Sequence, residues 1–203
     1  MQKFLIVIDM QNDFIDGALG TPEAIVIVDR VALKLHSYPP QCLFATQDTH
    51  GPDYLRTQEG KNLPIVHCVK GTEGWEIHES LRSILMSGRI YEKRTFGSVD
   101  LAVYLTLLHE SCDFELELVG VCTDICVISN ALLLKSMLPE VTITVDASCC
   151  AGTTPENHRR ALEVMKSCQI NVINEEPEKA DAALAQNNDF GADFLRCLQS
   201  RVS

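Results

Sequence analysis

The sequence predicts an α/β protein of three layers, with a mostly parallel, about six-stranded sheet held between helices in a Rossmann-like arrangement. Three observations carry that expectation. Short apolar runs alternate with longer segments of helical periodicity, as in βαβ units. The runs are apolar at successive positions, which suits strands covered on both faces. Two of the helical segments open on a Thr-Pro-Glu start, a side-chain cap followed by a first-turn proline and acid.

Phe4-Leu5-Ile6-Val7-Ile8 reads as the first strand, and Asp9 closes it with a carboxylate at the edge where open α/β sheets bind ligands. A loop containing Asp16, Gly17 and Gly20 follows, and Thr21-Pro22-Glu23 then opens a helix that runs to about His36. Strand-like runs recur at 42–46, 89–92, 115–121, 141–146 and 170–173. Helical patterns occupy 98–110, 123–136 and 155–168, the last opened by Thr154-Pro155-Glu156. The stretch from residue 175 onward is more polar and reads as a helical tail or interface element. No Pro-rich or Ser/Gly-rich linker divides the chain, so residues 1–203 are expected to form one domain.

Composition narrows the function. An apolar fraction of 46% with 22% charged residues is that of a soluble globular protein, and no apolar run approaches a bilayer span. The chain runs from Met1 straight into the first strand without a secretory signal, so a cytoplasmic location is expected. Nine cysteines, an odd number scattered over the chain, then read as reduced thiols, most of them buried and inert; the Cys149-Cys150 pair belongs with these. A net charge of −11 disfavours nucleic acid and anionic membrane as partners and leaves a small molecule as the expected substrate.

The segment Leu118-Val119-Gly120-Val121-Cys122-Thr123-Asp124-Ile125-Cys126-Val127 passes from a buried strand through a tight turn into a helix capped by Thr123 or Asp124. Cys126 therefore falls in a first helical turn, where unpaired amides and the helix dipole favour thiolate and could receive an oxyanion. On its own, Cys126 reads equally as a buried helix cysteine, Asp9 as a strand-end acid and Lys93 as a surface lysine.

Three segments in order change that balance: Phe4-Leu5-Ile6-Val7-Ile8-Asp9-Met10-Gln11-Asn12-Asp13-Phe14, then Glu92-Lys93-Arg94-Thr95-Phe96, then Gly120 to Val127. Together they resemble the signatures of the isochorismatase-like cysteine hydrolases, over residues 3 to about 173. The resemblance implies a catalytic triad of Asp9, Lys93 and Cys126. It also implies a non-proline cis peptide between Val121 and Cys122, which would aim the amides of Cys122 and Cys126 into one oxyanion hole. The residues suit that chemistry: Asp9 can take the thiol proton, and Lys93 favours ionised neighbours.

Asp48-Thr49-His50 follows the second strand, with Glu59 and His67 nine and seventeen residues after His50, a donor set that suits zinc, iron or manganese. The spacing is permissive of a metal site. The nicotinamidase subgroup carries an Asp-x-His pair and a later His here, so the resemblance implies a divalent metal, zinc first, held by Asp48, His50, Glu59 and His67. Glu73 is the weaker substitute for Glu59. The implied reaction is hydrolysis of nicotinamide to nicotinate and ammonia through a cysteine thioester. Phe14, Leu19 and Phe96 would wall a flat ring; the subgroup often has a Trp in the metal loop, whereas Trp75 lies beyond His67. Relatives are commonly homo-oligomers. The competing readings are a metal-free relative acting on another amide, ureido or carbamoyl compound, an isochorismatase-type hydrolase, and a non-catalytic binding homologue; a complete triad disfavours the last.

Overall fold

The computed structural model describes residues 1–175; the expected helical tail lies outside the described residues. Six strands form one parallel sheet in the order β3-β2-β1-β4-β5-β6: β1 Gln2–Ile8, β2 Leu43–Asp48, β3 Arg89–Lys93, β4 Phe114–Val121, β5 Ile143–Ala151 and β6 Asn171–Ile173. The unbroken apolar character of β1 follows from its central place. Leu5 to Ile8 are fully buried, and alternate side chains enter two separate cores.

Phe4, Ile6 and Ile8 face a core completed by α5 (Val99–His109), α6 (Ile128–Met137) and α7 (Pro155–Ser167). Leu5 and Val7 face the other, completed by α1 (Asn12–Ile15), α2 (Pro22–Leu35) and α4 (Glu79–Leu85); α3 (Gln58–Asn62) lies in the loop after β2. The caps read from sequence are in place: Thr21 Oγ1 accepts from Ala24 N at 3.1 Å, and Thr154 Oγ1 from Asn157 N at 3.1 Å. The short α1, α3 and α4 were not expected, because four to seven residues show too few apolar positions to establish a period. Likewise β5 runs on to Ala151, past the expected stop at Asp146, because its register against β4 shifts between Leu118 and Gly120. Cys149 and Cys150, on this added stretch, are buried one in each core, and the eight cysteines among the described residues are free thiols. Among the described residues no helix is long and apolar enough to cross a membrane.

The strand order reverses between β1 and β4, and a crevice outside the carboxyl ends of strands at such a switch point is where doubly wound sheets place ligands. Gly120 lets the two strands close there. Its φ is +120°, and a Cβ would stand 2.1 Å from the Ile8 carbonyl oxygen. Gly120→Ala is therefore expected to cost on the order of 3 kcal/mol or more, read as a fall in the urea midpoint.

Remote from that crevice, Glu117 of β4 pairs with Lys3 at 2.5 Å, Glu117 and Asp146 of β5 both pair with Lys34 of α2, and Glu117 also takes the Tyr38 hydroxyl at 2.8 Å. Burial opposes the charged forms, yet these partners hold both carboxyls below their usual range and Lys34 above its own. The carboxylates' contribution to stability is thus complete above the ordinary carboxylate range and lost as pH falls through it and below. The Lys34 contribution is complete below the ordinary lysine range and fades only above it. A plot of Tm against pH should fall on the acid side, with a shallower fall in Glu117→Gln.

Candidate active site

Asp9, at the end of β1, has φ 49°, a left-handed conformation that aspartate tolerates better than most residues. Its side chain is fully buried: Oδ1 accepts from Thr46 Oγ1 at 2.6 Å, and Oδ2 forms an ion pair with Lys93 Nζ at 2.6 Å. Lys93 closes β3 in register with Asp48 of β2, and its ammonium is equally enclosed. From Nζ the distances are 3.2 Å to Asp48 Oδ1 and 3.6 Å to Cys126 Sγ. The three residues nominated from the sequence as a triad are thus brought together from three strand ends.

Cys126 arrives on a turn other than the one expected. Residues Thr123–Val127 form one π-helical turn, closed by Val127 N donating to Cys122 O at 3.0 Å, before α6 begins at Ile128. Neither Thr123 nor Asp124 caps it, because α7 captures the first side chain and the loop after β5 the second. Thr123 Oγ1 meets His158 Nδ1 at 2.7 Å, while Asp124 accepts from Thr153 N and Oγ1 at 2.8 and 2.5 Å. The Val121-Cys122 peptide is cis.

Burial dominates the electrostatics. It pushes the Cys126 thiol well up, the Asp9 carboxylate adds to that, and Lys93 opposes without winning. Asp9 is also raised, by burial first, with Lys93 pulling down and Asp48 pushing up. Burial works against the Lys93 charge, but Asp9, Cys126 and Asp48 overcome it and keep the ammonium protonated. The resting trio therefore holds a thiol rather than the thiolate expected from a helix start.

Asp48, His50, Glu59 and His67 converge beside this trio, with one donor atom from each within 4.8 Å of all the others. His50 Nε2 lies 2.9 Å from Asp48 Oδ2 and 3.7 Å from Glu59 Oε1, and His67 Nε2 lies 3.8 and 3.7 Å from the same two oxygens. Ligand bonds of about 2.0–2.1 Å in a tetrahedron would set neighbouring donors about 3.3 Å apart, so the quartet fits a small divalent cation. Two further observations support the fit. His50 Nε2 is buried, and its 2.9 Å approach to Asp48 Oδ2 lacks the angle of a good hydrogen bond, which leaves the nitrogen aimed into the quartet. His67 Nδ1 lies 2.8 Å from the Ile65 carbonyl, which can only accept, so the lone pair of the neutral ring sits on Nε2. Glu73, the substitute considered for Glu59, stands outside the quartet.

Several supports had no signal in the sequence. Gln11 clamps Asp48 from both sides, with Nε2 donating to its carbonyl at 2.9 Å and Oε1 accepting from its amide at 2.7 Å. The Tyr54 ring packs on His50 and His67, with centroids 4.6 and 4.9 Å away. Asn130 of α6 donates to the carbonyls of Cys126 at 2.8 Å and Phe96 at 3.1 Å and accepts from Ser98 N at 2.9 Å, tying the cysteine's turn to the loop before α5.

A cavity of about 450 Å³ joins the two groups. Asp48, Glu59 and His67 line it, as do Cys122 and Cys126, and its apolar walls include the expected Phe14, Leu19 and Phe96 together with Leu63 and Ile125. Trp75 does not line it; its indole donates to Thr49 Oγ1 at 2.9 Å behind the metal loop.

The sequence profile of the Isochorismatase domain matches residues 3–177. The chain belongs to the isochorismatase family. Among its relatives, the nicotinamidase/pyrazinamidase of Mycobacterium tuberculosis is 27% identical over 189 residues, spanning 84% of this chain and 98% of the relative. The crystal structure of the Bacillus subtilis nicotinamidase/pyrazinamidase superposes with a TM-score of 0.72 at 28% identity, over 86% of this chain and 100% of the other. A Pyrococcus horikoshii pyrazinamidase in complex with zinc gives 0.70 at 27% identity, over 86% and 100%.

In this isochorismatase-family chain the Asn130 contacts lead to a defined expectation. Asn130→Ala leaves the buried amide of Ser98 and the Cys126 and Phe96 carbonyls without their partner, which should cost about 2–3 kcal/mol by thermal or urea unfolding. Ser98→Ala, which removes only a cap, should cost about 1 kcal/mol.

Proposed function

We propose that the protein is a metal-assisted cysteine amidohydrolase that converts nicotinamide and water to nicotinate and ammonia. The observation that carries this reading is the Asp48 carboxylate, which faces Lys93 with one oxygen and the two histidines with the other, so that a thiol and a metal quartet share one apolar cavity. The cavity has the size and wall chemistry of a site for a small flat ring. Relatives named nicotinamidase, spanned over nearly their whole length, support the same substrate class.

In this reading Cys126 is the nucleophile and Asp9 its proton acceptor. As Sγ bonds to the amide carbon, the thiol proton passes to Asp9 and the carbonyl electrons collect on an oxyanion, received by the amides of Cys122 and Cys126. Collapse breaks the C–N bond, and Asp9 returns the proton to the departing ammonia. Asp9 then takes a proton from the water that attacks the thioester, and as the acid leaves that proton goes back to sulfur. Lys93 keeps Asp9 oriented and offsets negative charge throughout. Phe14, Leu19 and Phe96 bury the faces of the ring. When bound by Asp48, His50, Glu59 and His67, a divalent cation, zinc by this donor set, supplies a Lewis acid for a pyridine nitrogen and so orients the ring.

The decisive assay is ammonia release from nicotinamide by metal-loaded protein. Cys126→Ala is expected to lose turnover by roughly four orders of magnitude or more. His67→Ala and Glu59→Gln should weaken metal binding at least about tenfold in a chelator competition. Absence of turnover from the metal-loaded wild type would overturn the substrate and direct attention to ureido and carbamoyl compounds. Because the thiol is held protonated, alkylation of Cys126 by iodoacetamide should be slow at neutral pH and accelerate as pH rises.

A further inference from the structure

The π-helical turn that delivers Cys126 has few bonds of its own. A single carbonyl closes its start, Cys122 O, which accepts from both Ile125 N and Val127 N at 3.0 Å, and no side chain caps the turn from within. Turns of this kind are rare and recur at functional sites. A fixed position for the thiol must therefore come from groups outside the turn.

Three side-chain tethers reach it. Thr123 Oγ1 meets His158 Nδ1 of α7 at 2.7 Å, and Asn130 of α6 donates to Cys126 O at 2.8 Å. The third is made by Asp124, midway along the chain between Cys122 and Cys126, and it uses both carboxylate oxygens on one residue. Oδ1 accepts from Thr153 N at 2.8 Å and Oδ2 from Thr153 Oγ1 at 2.5 Å. A two-point grip by an ionised acceptor fixes orientation as well as distance.

The far end of that grip is itself held. Asn157 Nδ2 donates to Thr153 Oγ1 at 3.0 Å, and Asn157 N donates to Thr154 Oγ1 at 3.1 Å, where α7 begins. The carboxylate comes so close because residue 152 is glycine: a Cβ there would stand 2.9 Å from Asp124 Oδ1 and 2.8 Å from His158 N. Thr153 also lines the reaction cavity beside Cys122 and Cys126, so the grip ties the cysteine's turn to another part of the same wall.

Both bonds of the grip lie toward the surface, where a substitution changes global stability little. Loss of one oxyanion donor, by contrast, lowers kcat by roughly 10²–10³. A small effect on folding and a large effect on rate can therefore be told apart.

We propose that Asp124 is a positioning residue. By gripping Thr153 it fixes the Thr123–Val127 turn, so that the Cys126 thiol and the amides of Cys122 and Cys126 keep one geometry toward a reacting carbonyl. Its effect on rate rests on the amidohydrolase reading above; its hold on the turn does not.

Hydrogen exchange of the metal-loaded protein, read by mass spectrometry, tests the hold without any substrate. A peptide spanning the turn should exchange at least about tenfold faster in Asp124→Ala than in the wild type, with peptides from β2 and α5 unchanged. Gly152→Ala, which keeps the carboxylate and crowds it, should loosen the same peptide. Glu156→Gln, at an exposed ion pair of α7 outside the grip, should not. Ammonia release from nicotinamide tests the consequence. Asp124→Ala should lower kcat at least about thirtyfold with KM held within about threefold, and Asp124→Asn, whose Oδ1 can still accept from Thr153 N, should return kcat to within about tenfold of the wild type. A wild type that releases no ammonia would sink the substrate reading alone, and exchange would still decide the hold on the turn. Unchanged exchange of the turn in Asp124→Ala would overturn the inference, as would an unchanged kcat, or a loss carried only by KM, beside an active wild type.

Discussion

Much of this molecule is organised by one carboxylate that faces two ways. Asp48 ends β2 buried, with Lys93 on one oxygen and His50 and His67 near the other, so the buried ammonium and the groups suited to a cation share an anion. Such an arrangement tolerates little movement, since buried charge is costly wherever its partner strays. Its rigidity is built in the sheet: Asp48 lies in register with Lys93 across β2 and β3, and Gln11 grips the Asp48 peptide on both sides. Asp9, from the next strand, completes the ammonium's shell.

Exclusion of water sets the character of the candidate site as much as charge does. Burial disfavours the charged form of the thiol, the carboxyl and the ammonium alike: it raises Cys126 and Asp9, while at Lys93 the neighbouring Asp9, Cys126 and Asp48 overcome it and keep the ammonium charged. The trio therefore rests with a proton available between sulfur and Asp9. That condition suits a group that must act as base and acid in turn. The cavity wall of Phe14, Leu19, Phe96, Leu63 and Ile125 extends the same exclusion to whatever occupies it.

The layers, the strand alternation and the helix starts at Thr21 and Thr154 were legible because they rest on local patterns: apolar runs, a capping hydroxyl, a first-turn proline. Asp9, Lys93, Cys126 and the four potential ligands were legible as residue types at strand ends and in one loop. Their mutual distances depend on the sheet order, which no local pattern encodes. The turn at Thr123–Val127 was misread as an ordinary capped helix because the side chains that would cap it are claimed by Thr153 and His158, some 30 residues later in the chain. Gln11, Tyr54 and Asn130 were invisible for a related reason: a buried glutamine, tyrosine or asparagine becomes meaningful only through partners distant in sequence.

The placement of β1 at the centre of the sheet has a consequence for how the protein is made. β1 emerges from the ribosome before the other five strands, yet its two neighbours are β2 and β4, and the second of these ends only at Val121. An apolar strand with an unpaired edge must therefore wait until synthesis has passed Val121, a state in which parallel sheets are slow to close and prone to wrong association. Cys126 follows β4 by five residues, so its thiol becomes available for burial only as that strand does. Pairing of β1 with β4 thus covers the strand edge and brings the sulfur out of reach of oxidants through the same stretch of chain.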